Sequence, residues 1–260
     1  MGIANPCSVP PSARPIAPCS TVNGFSVVQR RLMGLERLLA SDLAWVQGLE
    51  STALSYEPRT DIIIEGDEPG PLYVQTGGWA YRYRLIEDGR RQILDFVLPG
   101  DWYDLTASPD QPYTASVGTL TSCRAAATPP GFKRSCADAH PNLLASIDVM
   151  RGEAVRRLEE SVTMLGRLTA AEAMLMFVSR MFDRLEAVDL VEGNTAEFPL
   201  TQETIGDHLG LSTVHVNRTL RHLREEWGIR IADGYLTIAR PDAVHAALHS
   251  TESAAARPAC

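Results

Sequence analysis

The spacing of hydrophobic and polar residues changes twice along the chain and predicts three kinds of segment. Between about residues 30 and 50, leucines recur near helical spacing, which predicts one or two short helices. From Thr52 to Thr128 the apolar residues fall into short strand-like runs separated by glycine turns. From His140 and Pro141 onward the spacing is helical again, as far as a last pair of β-like runs around Asp233 and Gly234.

The strand-rich stretch predicts an antiparallel barrel or roll. The run "LYVQTGGWAYRYRL" breaks at Gly77-Gly78, and "EDGR" supplies an Asp-Gly hairpin turn. After the break two faces alternate: we expect one to hold Trp79, Tyr81, Tyr83 and Leu85, and the other Ala80, Arg82 and Arg84. An aromatic stripe at strand spacing is more typical of core packing than of a ligand cage.

The segment "LTQETIGDHLGLSTVHVNRTLRHLREE" has the pattern of a helix, a tight turn and a second helix. Thr201 is suited to cap the first helix and Ser212 the second, and Gly210 suits the left-handed backbone on which helices commonly end. The apolar stripe expected to bury the second helix consists of Val216, Leu220 and Leu223. The Asp-Gly hairpin that follows has the position of a wing.

Positive charge is concentrated on this second helix, although the whole chain is acidic. The chain has a formal net charge of -8, whereas residues 212–224 hold three arginines, two histidines and no acid. A docked apolar face beside an acid-free basic face is the arrangement of a helix that reads DNA. The alternative, a polar helix pair whose arginines are merely solvated, does not account for the caps, the turn and the wing together.

Composition limits the classes of protein to which the chain can belong. The 260 residues can form two domains, and no apolar run is long enough to cross a bilayer, so we expect a cytoplasmic protein. The five scattered cysteines are typical of a reducing compartment. The strand-rich stretch contains no histidine, which argues against a cupin-like metalloenzyme and predicts a protein without catalytic residues. The other alternative is an interaction domain that does not bind DNA and uses the basic helix to bind an acidic partner.

Taken with the roll and the long helix before it, the motif resembles the bacterial catabolite-activator and fumarate-nitrate-reductase regulator family over roughly residues 30–245. The resemblance implies an α+β protein with an N-terminal antiparallel β-roll, a long central dimerisation helix and a C-terminal winged helix-turn-helix. The expected boundaries are a disordered arm at 1–24, a sensory domain at 25–139, the dimerisation helix at 140–168, the DNA-binding domain at 169–250 and a flexible tail at 251–260. The implied partners are promoter DNA, RNA polymerase, a second copy and a small-molecule effector, but no membrane.

The resemblance also implies residue roles in the DNA-binding domain. Ser212 falls on the family's helix cap and phosphate contact, and Thr213, Val214 and Arg218 fall on its three base-reading positions. The relatives often carry arginine and glutamate at the first two of these positions, so we expect a different half-site here. The full set expected to meet DNA is Thr201, Gln202, Ser212, Thr213, Val214, His215, Asn217, Arg218 and Arg221.

The resemblance implies that two copies pair along the long helix, and the residues at this contact form the dimer seam. The seam residues expected from their near-heptad spacing are Leu143, Ile147, Met150, Ala154 and Leu165. Burial of the same residues within one chain is the alternative, because periodicity does not distinguish the two.

In the sensory domain, the resemblance places Tyr113, Thr114 and Ala115 where cyclic-nucleotide-binding relatives carry Arg-Ser-Ala. Without that arginine a bound phosphodiester would lack its counter-charge, so we expect no response to cyclic AMP. Any effector pocket is expected around Trp102, Asp104, Tyr113 and Thr114, and the sequence demands no cofactor. A cyclic-nucleotide-responsive regulator with an atypical pocket is the alternative.

The cysteines offer a further alternative, a redox or oxygen sensor of the same family that uses cysteines or an iron–sulfur cluster. Cys123 matches the cluster ligand that oxygen-sensing relatives carry in the roll. Cys7 and Cys19 have eleven residues between them on the arm, outside the close spacing that clusters favour, so a fourth thiolate would have to come from Cys136 or Cys260. The i,i+4 pair His245 and His249 has no third ligand nearby, and we expect no metal site.

Overall fold

The computed structural model describes residues 24–103, 105 and 111–255, and for 249–255 the backbone alone. The expected arm, at residues 1–24, lies outside this range except for Gly24. Residues 24–84 and 95–154 form one compact unit, and 85–94 and 155–255 belong to a second. No helix in the described ranges combines the length and apolar character that crossing a membrane requires.

Two short helices precede the roll in the first unit, as the leucine spacing predicts. They are α1 (Val27–Met33) and α2 (Ala40–Ser51). The roll strands are β1 (Leu54–Tyr56), β2 (Asp61–Ile63), β3 (Tyr73–Gly77), β4 (Ala80–Leu85), β5 (Arg91–Val97), β6 (Trp102–Tyr103), β7 (Ser116–Thr119) and β8 (Cys123–Ala127). They form two four-stranded sheets, ordered β1-β8-β3-β6 and β2-β7-β4-β5, and the strand pairs within them are antiparallel.

The roll core lies between the two sheets and is made of small and aromatic side chains. Branched aliphatic residues complete it, and its members are Tyr56, Ile62, Ile63, Ala80, Val97, Tyr103, Tyr113, Val117, Cys123 and Ala125. Both sheets contribute, so the interior is closed by side chains from opposite directions. Of the aromatic stripe, Trp79 and Tyr83 are buried and Tyr81 is half-buried.

On β4 both of the predicted faces are partly buried. Ala80 and Arg82 are buried, whereas Leu85 is 63% exposed and Tyr81 is half-buried. Tyr83 is buried as well, and its hydroxyl donates to Asp61 Oδ1 at 2.9 Å. The pairing with β7 places Arg82 opposite the core residue Val117.

Two helices follow the roll: α3 (Phe132–Ala139), which the sequence did not predict, and the long α4 (Pro141–Arg167). Four residues of the expected seam, Leu143, Ile147, Met150 and Ala154, are buried within the first unit of this single chain. They offer no exposed surface to a second copy, so their assignment to the seam is corrected. Leu165, the fifth, is 49% exposed.

The second unit holds the remaining elements. They are α5 (Ala170–Glu186), β9 (Val191–Glu192), β10 (Thr195–Glu197), α6 (Gln202–Leu209), α7 (Thr213–Trp227), β11 (Ile229–Ala232), β12 (Tyr235–Ile238) and α8 (Pro241–Ala255). The Thr169 hydroxyl caps α5 by accepting a hydrogen bond from the Glu172 N–H. The stretch around residue 194 forms β9 and β10, and it pairs with the wing in a sheet ordered β11-β12-β10-β9.

Candidate nucleic-acid interface

The helix-turn-helix is stabilised by local features that can be read from the sequence, namely two helix caps and a turn glycine. The Thr201 hydroxyl accepts a hydrogen bond from the Thr204 N–H at 3.1 Å, and the Ser212 hydroxyl accepts one from the His215 N–H at 3.3 Å. Gly210 ends α6 with a φ of 65°, a conformation that glycine adopts without the steric cost of a side chain. Both caps and the turn glycine therefore lie where they were predicted.

A second glycine, Gly206, sets the distance between α6 and the turn. A Cβ at this position would lie 2.4 Å from the carbonyl oxygen of Leu211. The Leu211 N–H donates to the Gly206 carbonyl at 3.1 Å, which closes the turn on the same residue. This role was not predicted from the sequence, although a glycine inside a strong helical pattern often marks a close approach.

One face of α7 packs against the rest of the second unit. Val216, Thr219 and Leu223 are buried, and the Thr219 hydroxyl donates to the His215 carbonyl at 2.9 Å. Leu220, predicted on this stripe, is only half-buried, and Thr219 takes a fully buried position instead. The docked face therefore fixes the orientation of the rest of the helix.

The opposite face of α7 carries the residues expected to meet DNA. Val214 is 80% exposed, and the other exposed side chains are Ser212, Thr213, Asn217, Arg218 and Arg221. His215 is half-buried. Neither Arg218 nor Arg221 forms an ion pair with any residue in the described part of the chain. Both guanidinium groups are thus available to an external anion.

Two further elements border this face. Thr201 and Gln202, at the exposed start of α6, lie where backbone N–H groups point outward and favour an anion. Asp233 and Gly234, with φ of 55° and 80°, form the turn between β11 and β12, and Tyr235 beside it is 53% exposed. The predicted wing is therefore present, immediately after the basic helix.

The hairpin at residues 85–94 contacts the C-terminal end of α6, and no local sequence pattern predicts this contact. Arg91 donates to Asp207 Oδ2 through Nε at 2.9 Å and Nη2 at 2.6 Å. Gln92 Nε2 donates to the carbonyls of Asp207 and His208 at 2.9 and 3.1 Å. These carbonyls belong to the last turn of a helix, where no intrahelical partner exists.

Of the residues expected around an effector pocket, those that the structure describes have different surroundings. Tyr113 is buried in the roll core and its hydroxyl donates to the Pro71 carbonyl at 3.2 Å. Trp102, on the other side of β6 from the core residue Tyr103, stacks on Phe132 with ring centroids 5.8 Å apart. Thr114 is exposed, and Asp104 lies outside the described residues.

The cysteines within the described ranges are Cys123 and Cys136, and both are buried free thiols. Burial raises the pKa of each thiol to about 11, so neither is a thiolate at neutral pH. Cys7, Cys19 and Cys260 lie outside the described residues. The described side chains form no group of three or more potential metal ligands.

Comparison with known proteins gives two domain matches. The Crp-like helix-turn-helix domain matches residues 177–247, and the cyclic nucleotide-binding domain matches residues 53–138. The nitrogen fixation regulation protein FixK of Bradyrhizobium diazoefficiens is 31% identical over 186 residues, which cover 71% of this chain and 77% of the relative. The transcriptional activatory protein AadR of Rhodopseudomonas palustris is 30% identical over 181 residues, covering 69% and 74%.

Among solved structures, that of FixK2 from Bradyrhizobium japonicum superposes with a TM-score of 0.65. It is 23% identical and covers 75% of this chain and 96% of the other. At this identity the likeness concerns the fold.

Proposed function

The chain belongs to the CRP/FNR family of DNA-binding transcription regulators, and we propose that it acts as a parallel homodimer in which each α7 reads one half-site of promoter DNA. The observation that carries the proposal is the division of α7 into two faces. One face is buried, and the other presents Arg218 and Arg221 without ion-pair partners among the described residues. The family consists of regulators, and the protein is not an enzyme.

Base reading is assigned to the first two turns of α7. Arg218, exposed and without an ion pair in the described chain, suits the bidentate acceptors of a guanine. Val214 is apolar and suits a thymine methyl group. Thr213 has a hydroxyl that can serve several bases, while Ser212, Thr201 and Gln202 lie at helix starts suited to phosphate.

The proposed dimer seam lies on the exposed part of α4, and it keeps Leu165 from the residues expected from the sequence. Val155, Leu158, Val162 and Leu165 follow the a, d, a, d spacing of two heptads, and all four are at least partly exposed. A β-branched residue at a with leucine at d favours a two-stranded parallel pair. A parallel pair would give both copies of α7 equivalent positions on a two-fold symmetric site.

We propose that cyclic AMP is not the signal to which the protein responds. Tyr113 stands where the relatives that bind cyclic nucleotides carry arginine, and its side chain packs in the roll core with Tyr56 and Tyr103. A cyclic nucleotide would have to displace these aromatic side chains and would find no arginine at this position. An isothermal titration with cyclic AMP should give no heat of binding, and micromolar affinity would contradict this part of the proposal.

Selection of bound duplexes from random DNA tests the main proposal. The purified protein should enrich a two-fold repeat whose half-site centres are about 34 Å apart, one turn of the duplex. Arg218→Ala should lose about 1 to 3 kcal/mol of discrimination at one base pair of each half-site. Arg134→Ala removes the same charge from an exposed position on α3 and should select the wild-type site. Unchanged discrimination in Arg218→Ala at every base would refute the assignment.

A second experiment tests the seam separately. Val162 is 72% exposed, and Val162→Glu would place two carboxylates at the centre of the paired helices. Sedimentation should show a monomer for this variant and a dimer for Thr163→Glu, which adds the same charge at an exposed position outside the seam. A dimer of unchanged stability in Val162→Glu would place the seam elsewhere.

A further inference from the structure

The hairpin at residues 85–94 and the end of α6 are joined by side chains from both partners. Arg91, which is partly exposed, donates to the Asp207 carboxylate through Nε and Nη2 at 2.9 and 2.6 Å. The next residue of α6, His208, is only 5% exposed, and its Nδ1 lies 3.1 Å from the Ile93 carbonyl oxygen. A carbonyl oxygen can only accept, so Nδ1 is the donor. A charged pair and a buried hydrogen bond thus hold two consecutive residues of the helix.

The His208 ring also ties α6 to α5. It packs against Phe177 with ring centroids 4.9 Å apart and planes inclined by 46°. Phe177 is itself buried and packs against Phe198, with ring centroids 6.3 Å apart. Ile93, whose carbonyl accepts from His208, is buried as well. Any movement of the end of α6 would therefore break contacts with both the hairpin and α5.

The position of this helix end determines where α7 begins. The helix α6 ends one residue after His208, and only three residues separate it from the first residue of α7. The joining turn is tight, because the Leu211 N–H donates to the Gly206 carbonyl and a Cβ at Gly206 would lie 2.4 Å from the Leu211 carbonyl oxygen. A turn this short transmits a shift of α6 to the first turn of α7. The hairpin contacts therefore help to set the direction in which α7 is presented.

We propose that the hairpin is a positioning element for DNA reading, in which Arg91, Gln92 and the Ile93 carbonyl hold α6 so that α7 keeps the orientation that reads its half-site. The inference rests on the proposed role of α7 as the reading helix. Arg91 and Gln92 are positioning residues, because they act through α6 and not by touching DNA. A residue that contributed only stability would change the fraction of folded protein and leave the DNA affinity of the folded protein unchanged.

Charge alone predicts a different result, and the two partners of the ion pair separate the explanations. Arg91→Ala removes a positive charge, whereas Asp207→Ala removes a negative one. By charge alone the first variant would bind DNA more weakly and the second more tightly, whatever the sequence of the duplex. Loss of positioning weakens binding in both variants, and it does so for the duplex whose bases α7 reads.

The experiment measures the affinity of the full chain for two duplexes of equal length, one that the wild type enriches from random DNA and one with the same bases in scrambled order. Arg91→Ala and Asp207→Ala should each bind the enriched duplex about fivefold or more weakly, and their affinity for the scrambled duplex should change far less. The double variant should bind no more weakly than the weaker single variant, since both changes break one contact. Arg90→Ala removes the same charge from an exposed position of the hairpin, where Arg90 pairs with Asp88, and it should bind both duplexes as the wild type does.

Affinity is compared per folded chain, with the folded fraction measured by circular dichroism at the temperature of the binding assay. If Asp207→Ala does not fold, Gln92→Ala takes its place, because the Gln92 amide donates to two carbonyls at the end of α6. It should lose affinity for the enriched duplex only. The inference is overturned if Asp207→Ala binds the enriched duplex as tightly as the wild type or more tightly, or if the affinity for both duplexes falls equally. A wild type that enriches no duplex would remove the proposed function as well, so the two failures are distinguishable.

Discussion

The close approach at Gly206 makes a sharp prediction for Gly206→Ala. The added methyl carbon would lie 2.4 Å from the Leu211 carbonyl oxygen, and this carbonyl is backbone that cannot swing aside like a side chain. Forcing a methyl group into a packed site costs up to about 3 kcal/mol. Alanine in a helix gains up to about 1 kcal/mol over glycine. The net loss is therefore about 2 kcal/mol, which lowers the Tm by about 4 to 8 °C.

Unfolding by heat and by urea measures this loss, and duplex binding measures its effect on function. Any movement that relieves the contact shifts α7 relative to α6, so Gly206→Ala should also bind its selected duplex more weakly. Gly48→Ala is the matched control, because Gly48 lies inside helix α2 and an added Cβ there would meet no atom within 4 Å. The control should be as stable as the wild type or up to about 1 kcal/mol more stable. If Gly206→Ala behaved like the control, the close contact would have no energetic consequence and the reasoning would be wrong.

Three further predictions concern a cap, the hairpin and the buried thiols. Ser212→Ala should lose about 1 kcal/mol of stability in urea unfolding, because the His215 N–H loses its acceptor. Gln92→Ala should lose about 1 to 2 kcal/mol in the same assay, because two carbonyls at the end of α6 lose their donor. Native Cys123 and Cys136 should react with iodoacetamide far more slowly than the denatured chain at pH 7.5, since burial raises the pKa of both thiols to about 11.

Each of these predictions has its own control. Ser212→Asp can keep the cap but would bring a negative charge to the proposed phosphate contact, so stability should persist while duplex affinity falls. Arg90→Ala changes an exposed hairpin residue that pairs only locally with Asp88, and it should leave stability within about 0.5 kcal/mol of the wild type. Rapid labelling of either native thiol would show that the residue is reactive and would favour a redox role.

The sequence predicted the helix-turn-helix well because its determinants are local. Thr201, Ser212 and Gly210 act within a few residues of their own positions, and a pattern of that length is complete in the sequence. The general architecture was confirmed for the same reason, since the change from helical to strand spacing is visible along the chain. In this region only the degree of burial of Leu220 and Thr219 differs from the prediction.

The errors arose where a partner distant in sequence decides the outcome. On β4 the alternation of faces was predicted, but the burial of Arg82 opposite Val117 depends on the pairing with β7, which is distant in sequence. On α4 the spacing of Leu143 and Ile147 showed an apolar stripe without showing that it packs within its own chain. The contact of Gln92 with Asp207 spans 115 residues, and no local pattern predicts such a contact.

The hairpin contact has a practical consequence for dissecting the protein. A contiguous fragment that begins at residue 155 would retain the whole helix-turn-helix but lose residues 85–94 of its own unit. Asp207 would lose the guanidinium of Arg91, and two helix-end carbonyls would turn to solvent. We therefore expect a fragment that begins at residue 155 to be less stable than the same unit in the full chain. A fusion that joins residues 85–94 to this fragment through a short linker should restore its stability.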